Sequence, residues 1–89
     1  MVIFVFTKYG QKRFSKLPKL LQDRIIKKLK QFKKHQDILS ILKPLYNFEP
    51  ATHRLRIGDY RVILELKSQK ANNFEFYILD VGHRRDIYE

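Results

Sequence analysis

The chain has 89 residues, 44% of them hydrophobic and 31% charged, and its formal net charge at pH 7 is +10. This length predicts a single domain over residues 1–89, and the apolar content excludes a disordered basic tail. The lack of cysteine excludes disulfides and thiolate metal sites, while the excess of positive charge indicates a polyanionic partner.

The first half of the chain predicts one strand followed by two helices. Residues 1–6 are mostly β-branched or aromatic, which is typical of a strand. A helical pattern over residues 9–16 stops at Leu17-Pro18, because proline is tolerated in the first turn of a helix and disfavoured inside one. A second helix is predicted from Pro18 to His35, since apolar residues recur there at helical spacing. These residues are Leu21, Ile25, Leu29 and Phe32.

The second half of the chain predicts three strands. The strand-like runs are His53 to Ile57, Tyr60 to Lys67 and Phe74 to Val81. Gly58-Asp59 suits a two-residue hairpin turn, and the polar residues 68–73 predict a loop before the last strand. Residues 36–51 contain two prolines and are predicted as a loop. This order predicts an α+β domain in which two N-terminal helices pack on one face of a small, mainly antiparallel four-stranded sheet.

Side-chain alternation places arginines on the sheet face that points away from the helices. In the first hairpin strand the apolar residues point toward the helices, so Arg54 and Arg56 point the other way. On the neighbouring strand Arg61 also lies opposite the apolar row. If the sheet is curved, this face could gather three residues of the tail as well: His83, Arg84 and Tyr88. In a structural alternative, Arg54 and Arg56 pair across strands with Glu65 and Glu75.

These residues include the groups that RNA cleavage without a metal requires. The reaction needs an acceptor for the 2′-hydroxyl proton, donors for the charge on the phosphoryl oxygens, and an acid for the leaving 5′-oxygen. Arginine presents a rigid fork of donors that matches phosphate. His83 suits an acid or base, or alternatively a hydrogen bond that orders the tail. Tyr88 could stack on a base, donate a proton, or pack against the sheet edge.

Four segments of the chain carry a recognisable pattern. They are the first strand, the Leu-Pro-Lys-Leu start of the lysine-rich helix, His-Arg-Leu-Arg-Ile-Gly-Asp-Tyr-Arg-Val-Ile (53–63) and Val-Gly-His-Arg-Arg-Asp-Ile-Tyr (81–88). Together they resemble the RelE/ParE superfamily of toxins from bacterial and archaeal toxin–antitoxin systems, over essentially the whole chain. The resemblance implies a microbial-RNase-like fold, an antitoxin encoded alongside and, for the RelE branch, cleavage of messenger RNA in the ribosomal A site.

The resemblance also implies roles for particular residues. Five positions match functional positions of RelE-like toxins: Arg54, Arg56, Arg61, Arg84 and Tyr88. Arg61 and Arg84 would hold the scissile phosphate, while the basic pair before the turn would guide the RNA backbone. That pair is lysine in the best-studied branch, and arginine cannot replace lysine as a proton acceptor because it stays protonated. The hypothesis therefore assigns the general base to His83.

The exposed lysines of the second helix are a further candidate contact for RNA, or alternatively only a solvated helix face. They are Lys27, Lys28, Lys30 and Lys34. The three histidines show no metal-ligand spacing, so neither a metal site nor a cofactor is predicted. The first strand is too short to cross a membrane and lacks the features of a signal peptide, which predicts a cytoplasmic protein.

The sequence therefore predicts the toxin of a type II toxin–antitoxin system. Its predicted activity is that of a metal-independent endoribonuclease that cleaves messenger RNA at the ribosome and so inhibits translation. The expected partners are a short acidic antitoxin, messenger RNA and the ribosome, with no membrane and no small-molecule cofactor. One alternative is a ParE-like toxin that poisons DNA gyrase without cleaving RNA. Another is an inactive family member that only binds its antitoxin or nucleic acid.

Overall fold

Three helices and five strands make up residues 1–87, the part of the chain that this computed structural model describes. The helices are α1 (Lys8–Ser15), α2 (Lys19–Phe32) and α3 (Ile38–Ile41). The strands are β1 (Val2–Phe6), β2 (Lys43–Pro44), β3 (His53–Ile57), β4 (Tyr60–Lys70) and β5 (Asn73–His83). None of the helices in this range is long and apolar enough to span a membrane.

The strands form one sheet in the order β1-β5-β4-β3-β2, with β1 parallel to β5 and the other neighbouring pairs antiparallel. The predicted α+β class and mainly antiparallel sheet are confirmed, but the sheet has five strands rather than four. The additional strand is β2, in which Lys43 and Pro44 pair with Arg54 and His53. A strand of only two residues is too short to show the alternation of apolar and polar side chains by which a strand is recognised in a sequence. The proline is tolerated because β2 is an edge strand.

The hairpin of β4 and β5 extends further than the polar sequence predicts. Residues 68–73 are predicted as a loop, but β4 continues to Lys70, β5 begins at Asn73, and only Ala71-Asn72 remains as the turn. The side chains of this tip are mostly exposed. Polar residues are compatible with a strand there because neither face of the tip is buried. The predicted loop over residues 36–51 likewise contains α3 and β2.

The hydrophobic core lies between helix α2 and one face of the sheet. Helix α2 buries Ile25 and Leu29, which are one helical turn apart. The strands bury a row of apolar side chains in the same cluster: Val2, Leu55, Ile57, Val62, Leu64, Phe76, Ile78 and Val81. Burial of each large apolar side chain contributes about 1.5–3 kcal/mol. This burial fixes the register of the strands, and therefore which side chains project from the opposite face.

Helix α1 covers the edge of β5 beyond the point where β1 ends. The backbone N–H of Thr7 donates to the carbonyl oxygen of Ile78 at 3.1 Å, and the Thr7 hydroxyl donates to the same oxygen at 2.9 Å. The hydroxyl also accepts from the backbone N–H of Gly10 at 3.0 Å, which caps the helix. A Cβ atom at Gly10 would collide with the Ile78 carbonyl oxygen. Glycine is therefore needed for α1 to lie directly against β5.

Replacing Gly10 with alanine should destabilise the domain, although alanine is the better helix former. In an uncrowded helix the exchange stabilises by up to about 1 kcal/mol. Here the added methyl group must displace β5, which costs about 1–3 kcal/mol. Urea unfolding followed by circular dichroism measures the difference, with Gln11→Ala at the exposed neighbouring position as the control. A Gly10→Ala variant more stable than the parent would contradict the close contact.

Candidate functional site

The side chains of three arginines project from the sheet face opposite the core, here termed the arginine face (Arg54, Arg56 and Arg61). The strand register places Arg56 directly opposite Arg61, and Arg54 opposite Ile63. Directly opposed residues point to the same side of a sheet. The three arginines therefore share one face, as side-chain alternation predicts. Arg56 is exposed and Arg54 is half-buried, so the row offers charge to a ligand mainly through Arg56.

Arg61 is buried, with only 4% of its surface exposed. Its Nη1 atom donates to the carbonyl oxygens of Gly58 at 3.0 Å and Tyr60 at 3.1 Å. Gly58 has a φ of +59°, which glycine adopts without strain. The buried guanidinium of Arg61 thus donates hydrogen bonds to carbonyl groups of the β3–β4 turn. Arg61 supports the turn and leaves little surface for direct contact with a phosphate.

A β-bulge in the pairing of β4 with β5 separates Ile78 from Asp80 and leaves Gly82 opposite Arg61. The Asp80 carboxylate accepts a hydrogen bond from Arg13 Nε at 2.9 Å. This hydrogen bond and the charge of Asp80 raise the pKa of Arg13. Because Gly82 has no side chain, a guanidinium nitrogen of Arg13 and the side chain of Ile87 can approach its Cα. Helix α1 is thereby tied to this end of the arginine face.

His83 lies on the core side of the sheet, not on the arginine face. It is the last residue of β5 and stands opposite Tyr60, whose ring meets the imidazole edge-on at 5.3 Å. Tyr60 and Arg61 are consecutive strand residues, so their side chains point to opposite faces. The expectation that His83 joins the arginines on one face is therefore wrong. The histidine is instead located at the end of the sheet, where β5 gives way to the tail.

The hydrogen bonding of His83 favours a donor role over a base role. Its Nδ1 atom accepts from the backbone N–H of Arg85 at 3.1 Å. A neutral imidazole whose Nδ1 accepts must carry its proton on Nε2. His83 therefore presents an N–H group to a ligand that approaches from solvent. The backbone N–H groups of Asp86 and Ile87 donate to the His83 carbonyl oxygen, which folds the tail into a turn.

Two exposed cations, Arg84 and Arg24, join the buried Arg61 around the β3–β4 turn. The backbone N–H of Arg84 donates to the Asp59 carbonyl oxygen at 2.8 Å, and Arg84 Nε lies 4.0 Å from an Asp59 carboxylate oxygen. About half of each side chain is exposed, so this ion pair is weak and can open. From the other side, the guanidinium of Arg24 in α2 lies beside Gly58. Cations from a helix, a strand and the tail thus meet at one turn, termed here the turn cluster (Arg24, Arg61 and Arg84).

Arg24 is a member of this cluster that sequence analysis does not identify. The helical pattern shows only that its side chain is on the exposed face of α2. Its position beside Gly58 depends on how α2 crosses the sheet, and no local pattern encodes that crossing. The one sequence feature that sets Arg24 apart is its residue type, because the other exposed cations of α2 are lysines.

The strand register does not place Glu65 or Glu75 directly opposite Arg54 or Arg56. In the strand register, Arg54 stands opposite Ile63 and Lys43, and Arg56 stands opposite Arg61. Glu65 lies 3.6 Å from Lys67 Nζ instead. Within the described residues, the cross-strand neighbours of the β3 arginines are therefore not the predicted glutamates.

His53, in contrast to His83, has a structural environment. Its ring stands edge-on to Phe76 at 5.8 Å, and its Nδ1 atom lies 2.8 Å from the Thr52 hydroxyl. Burial lowers the pKa of His53, because the charged imidazolium is poorly solvated there. This histidine packs within the fold and is not offered to a ligand.

The predicted RNA-binding lysines divide into two groups. Lys30 and Lys34 line an open groove of about 950 Å³ at the end of α2, together with Lys33, His35 and residues of the chain start and the β4–β5 turn. Lys27 and Lys28 are exposed elsewhere on the helix. The groove adjoins Asn72 at the far end of β4 from the turn cluster. An eleven-residue strand is roughly 35 Å long, so the two cationic regions lie at opposite ends of the molecule.

Tyr88, the remaining predicted site residue, lies outside the described residues. Among residues 1–87, no group of three or more histidine, cysteine or acidic side chains could hold a metal ion.

Comparison with known proteins identifies one family. The model of the ParE toxin of the type II toxin–antitoxin system parDE matches residues 4–88. A comparison with curated protein sequences gives no match. Among solved structures, the chain is similar to one in the RelBE2 toxin–antitoxin complex of Mycobacterium tuberculosis, with 26% identity, a TM-score of 0.62, and coverage of 92% of this chain and 96% of that chain.

Two further toxin–antitoxin complexes show the same fold at lower identity. A chain of the intact Escherichia coli RelBE complex gives 17% identity and a TM-score of 0.63, covering 91% of this chain and 94% of that chain. A chain of the RelB-RelE complex from Methanococcus jannaschii gives 20% identity and a TM-score of 0.59, covering 91% of each chain. The shared fold spans nearly the full length of every chain compared.

The geometry of the two facing arginines predicts different effects of their removal. Arg61→Ala should lower the free energy of unfolding by about 1–3 kcal/mol, because it removes a buried side chain and the hydrogen bonds that it donates to the carbonyl groups of the turn. Arg56→Ala, on the exposed side of the same cross-strand pair, should change it by less than about 0.5 kcal/mol. Thermal and urea unfolding of both variants measure this contrast. Equal stability of the two variants would show that Arg61 does not support the turn.

Proposed function

The chain belongs to the ParE toxin family of type II toxin–antitoxin systems, and on that premise we propose that it is a metal-independent endoribonuclease that cleaves messenger RNA. The observation that supports this proposal is the turn cluster, where the exposed guanidinium groups of Arg24 and Arg84 lie at the turn that the buried Arg61 supports, with His83 opposite Tyr60 at the same end of the sheet. Phosphoryl transfer without a metal depends mainly on such positioned donors. The RNA would be messenger RNA in the cytoplasm, engaged at the ribosome.

In this proposal the scissile phosphate binds beside the β3–β4 turn. Arg84 donates to the phosphoryl oxygens, and its weak contact with Asp59 gives way to the stronger pairing with phosphate. Arg61 holds the turn in place from below and so acts as a positioning residue. Arg54 and Arg56 guide the RNA backbone along the arginine face. The products are a 2′,3′-cyclic phosphate and a 5′-hydroxyl.

His83 offers a hydrogen-bond donor in this arrangement. Because Nδ1 accepts from the Arg85 N–H, the proton of the imidazole lies on Nε2. The Nε2–H group can donate a hydrogen bond to a phosphoryl oxygen as negative charge develops there. A neutral imidazole does not release this proton, so His83 fits charge stabilisation better than the role of general base. Water takes the 2′-hydroxyl proton and returns a proton to the leaving 5′-oxygen, and Tyr88 keeps its proposed part in stacking on a base or in proton transfer.

The lysines of α2 would supply the part of RNA binding that does not depend on sequence. Contacts of lysine with phosphates strengthen binding at low salt and weaken as salt rises. Lys30 and Lys34 are in the groove at the far end of the sheet, so they would contact a segment of RNA distant from the cleaved bond. Lys27 and Lys28 would extend this contact along the helix. A folded RNA such as that of the ribosome can present phosphates at both ends of the toxin.

A cognate antitoxin is the proposed protein partner. The similar solved structures include toxin–antitoxin complexes in which toxins of this fold are bound by RelB proteins. The net charge of +10 favours an acidic partner, because covering so many cations without opposing charges would be costly. The partner is expected from the neighbouring reading frame.

Poisoning of DNA gyrase is the second candidate function. Two observations favour it: the family model that matches the chain is that of ParE toxins, and Arg61 is buried while His83 points to the other face of the sheet. A gyrase poison needs no cleavage residues, so this separation would not matter for its action.

Cleavage of translated message by the Arg84→Ala variant distinguishes the two candidates. Loss of one donor to the transition-state charge should slow cleavage by about 100-fold or more. The control is Lys16→Ala, which removes the same charge from the exposed residue that follows α1 and should cleave normally. Reading out 5′ ends of a message in a purified translation system measures the rate. Intact message with trapped DNA breaks in a gyrase assay would overturn the nuclease proposal in favour of the second candidate.

A further inference from the structure

We propose that Arg13 of α1 and Asp80 of β5 position the tail that follows β5 (residues 84–87), and through it the guanidinium of Arg84 at the turn cluster. This inference rests on the proposed function, since it concerns the cleavage assigned to that cluster, but it adds two residues that act without touching RNA. Three observations support it: the contacts of Arg13 with β5, the packing of the tail against the same strand, and the second attachment of the tail at the β3–β4 turn.

The side chain of Arg13 extends from α1 onto the end of β5. Its Nε atom donates to Asp80 Oδ1 at 2.9 Å, and the Val81 N–H donates to the same oxygen at 2.8 Å. A Cβ atom added to Gly82 would stand 3.3 Å from Arg13 Nη2, so the guanidinium reaches from Asp80 to Gly82. Its central carbon also lies 6.0 Å from the centre of the Tyr9 ring. These partners on a helix and a strand limit the conformations that the arginine can adopt.

The tail folds back over the same end of β5 that Arg13 contacts. The N–H groups of Asp86 and Ile87 donate to the His83 carbonyl oxygen at 2.8 and 3.1 Å. Ile87 is 7% exposed, and its Cδ1 atom would also stand 3.3 Å from a Cβ atom on Gly82. The guanidinium of Arg13 and the side chain of Ile87 therefore meet above a single glycine. Because protein interiors are closely packed, a shift of one of these side chains displaces the other.

Charges on the strand and on the tail both attract Arg13. Its pKa is raised mainly by the hydrogen bond to Asp80 and by the charge of Asp80, and to a smaller extent by the charge of Asp86 in the tail. The side chains of Arg13 and Asp80 are 32% and 26% exposed. Those of Arg84 and Asp59, by contrast, are 51% and 65% exposed. Water screens the first pair less than the second, so the contact with α1 is the firmer of the two.

The tail is attached at two places, and Arg84 stands between them in the sequence. At the β3–β4 turn, the Arg84 N–H donates to the Asp59 carbonyl oxygen at 2.8 Å. At α1, Arg13 holds the strand end on which Ile87 packs. A donor must occupy the same place in every turnover to stabilise a transition state, and a long arginine side chain does so only when its backbone is fixed. Loss of the α1 attachment would leave the turn in place and let the tail move.

Cleavage of translated message by an Arg13→Met variant tests the positioning, because methionine keeps an apolar side chain and removes the donors. The kcat should fall by about tenfold while KM stays within about twofold, since Arg84 is still present but is less often in place. Asp80→Asn keeps the acceptor oxygen and loses the charge, so it should show the same pattern with a loss of about twofold. The control is Lys12→Met, which removes a charge from an exposed residue of the same helix and should cleave normally. A kcat for Arg13→Met equal to that of the control would contradict the inference.

A double variant separates positioning of Arg84 from a general loss of stability. If Arg13 acts through Arg84, adding Arg13→Met to Arg84→Ala should lower kcat by no more than about twofold, because the group that Arg13 positions is already absent. A role in overall stability would instead lower kcat by the same factor with and without Arg84. Equal factors in the two backgrounds would therefore reject the inference, even where each single variant is impaired.

Amide hydrogen exchange tests the attachment of the tail without reference to cleavage. In Arg13→Met the amides of Arg84 and Ile87 should exchange at least about tenfold faster than in the parent, while those in the middle of β4, which pairs with strands on both sides, should not change. Unchanged exchange at Arg84 and Ile87 would reject the inference and leave the nuclease proposal intact. Faster exchange there in a protein whose parent cuts no message would reject the nuclease proposal and retain Arg13 as the residue that holds the tail.

Discussion

The arrangement of the candidate site depends on one buried guanidinium. Arg61 donates to two carbonyl oxygens of the β3–β4 turn, and burial makes such hydrogen bonds expensive to lose. The turn then places Asp59 where the Arg84 N–H can bond to its carbonyl oxygen, and Gly58 where Arg24 can approach. The tail and a helix are thus positioned through a turn that an internal cation holds. From the sequence, all three residues of the arginine face are expected to bind a ligand directly. In the structure, Arg61 supports the turn instead, whereas the exposed Arg56 is available to a ligand.

The sequence predicts the parts of this fold that local periodicity encodes. The hairpin at Gly58-Asp59, the core row of β3 and β4, and the shared face of Arg54, Arg56 and Arg61 all follow from alternation. The sequence does not predict burial of Arg61, because the alternation pattern assigns a face and says nothing about what covers it. It also misplaces His83, since the bulge in the pairing of β4 with β5 and the end of β5 alter the count of residues along the strand.

The lysines and the arginines of this chain have different structural roles. Lysines are on the exposed face of α2, where flexible side chains can adapt to a polyanion. The arginines Arg13 and Arg61 bond to groups of the fold itself, the first to a carboxylate and the second to backbone carbonyls. The planar fork of arginine suits these fixed acceptors. The net charge therefore overstates the charge offered to a ligand, and the exposed fraction of each cation is the better guide to function.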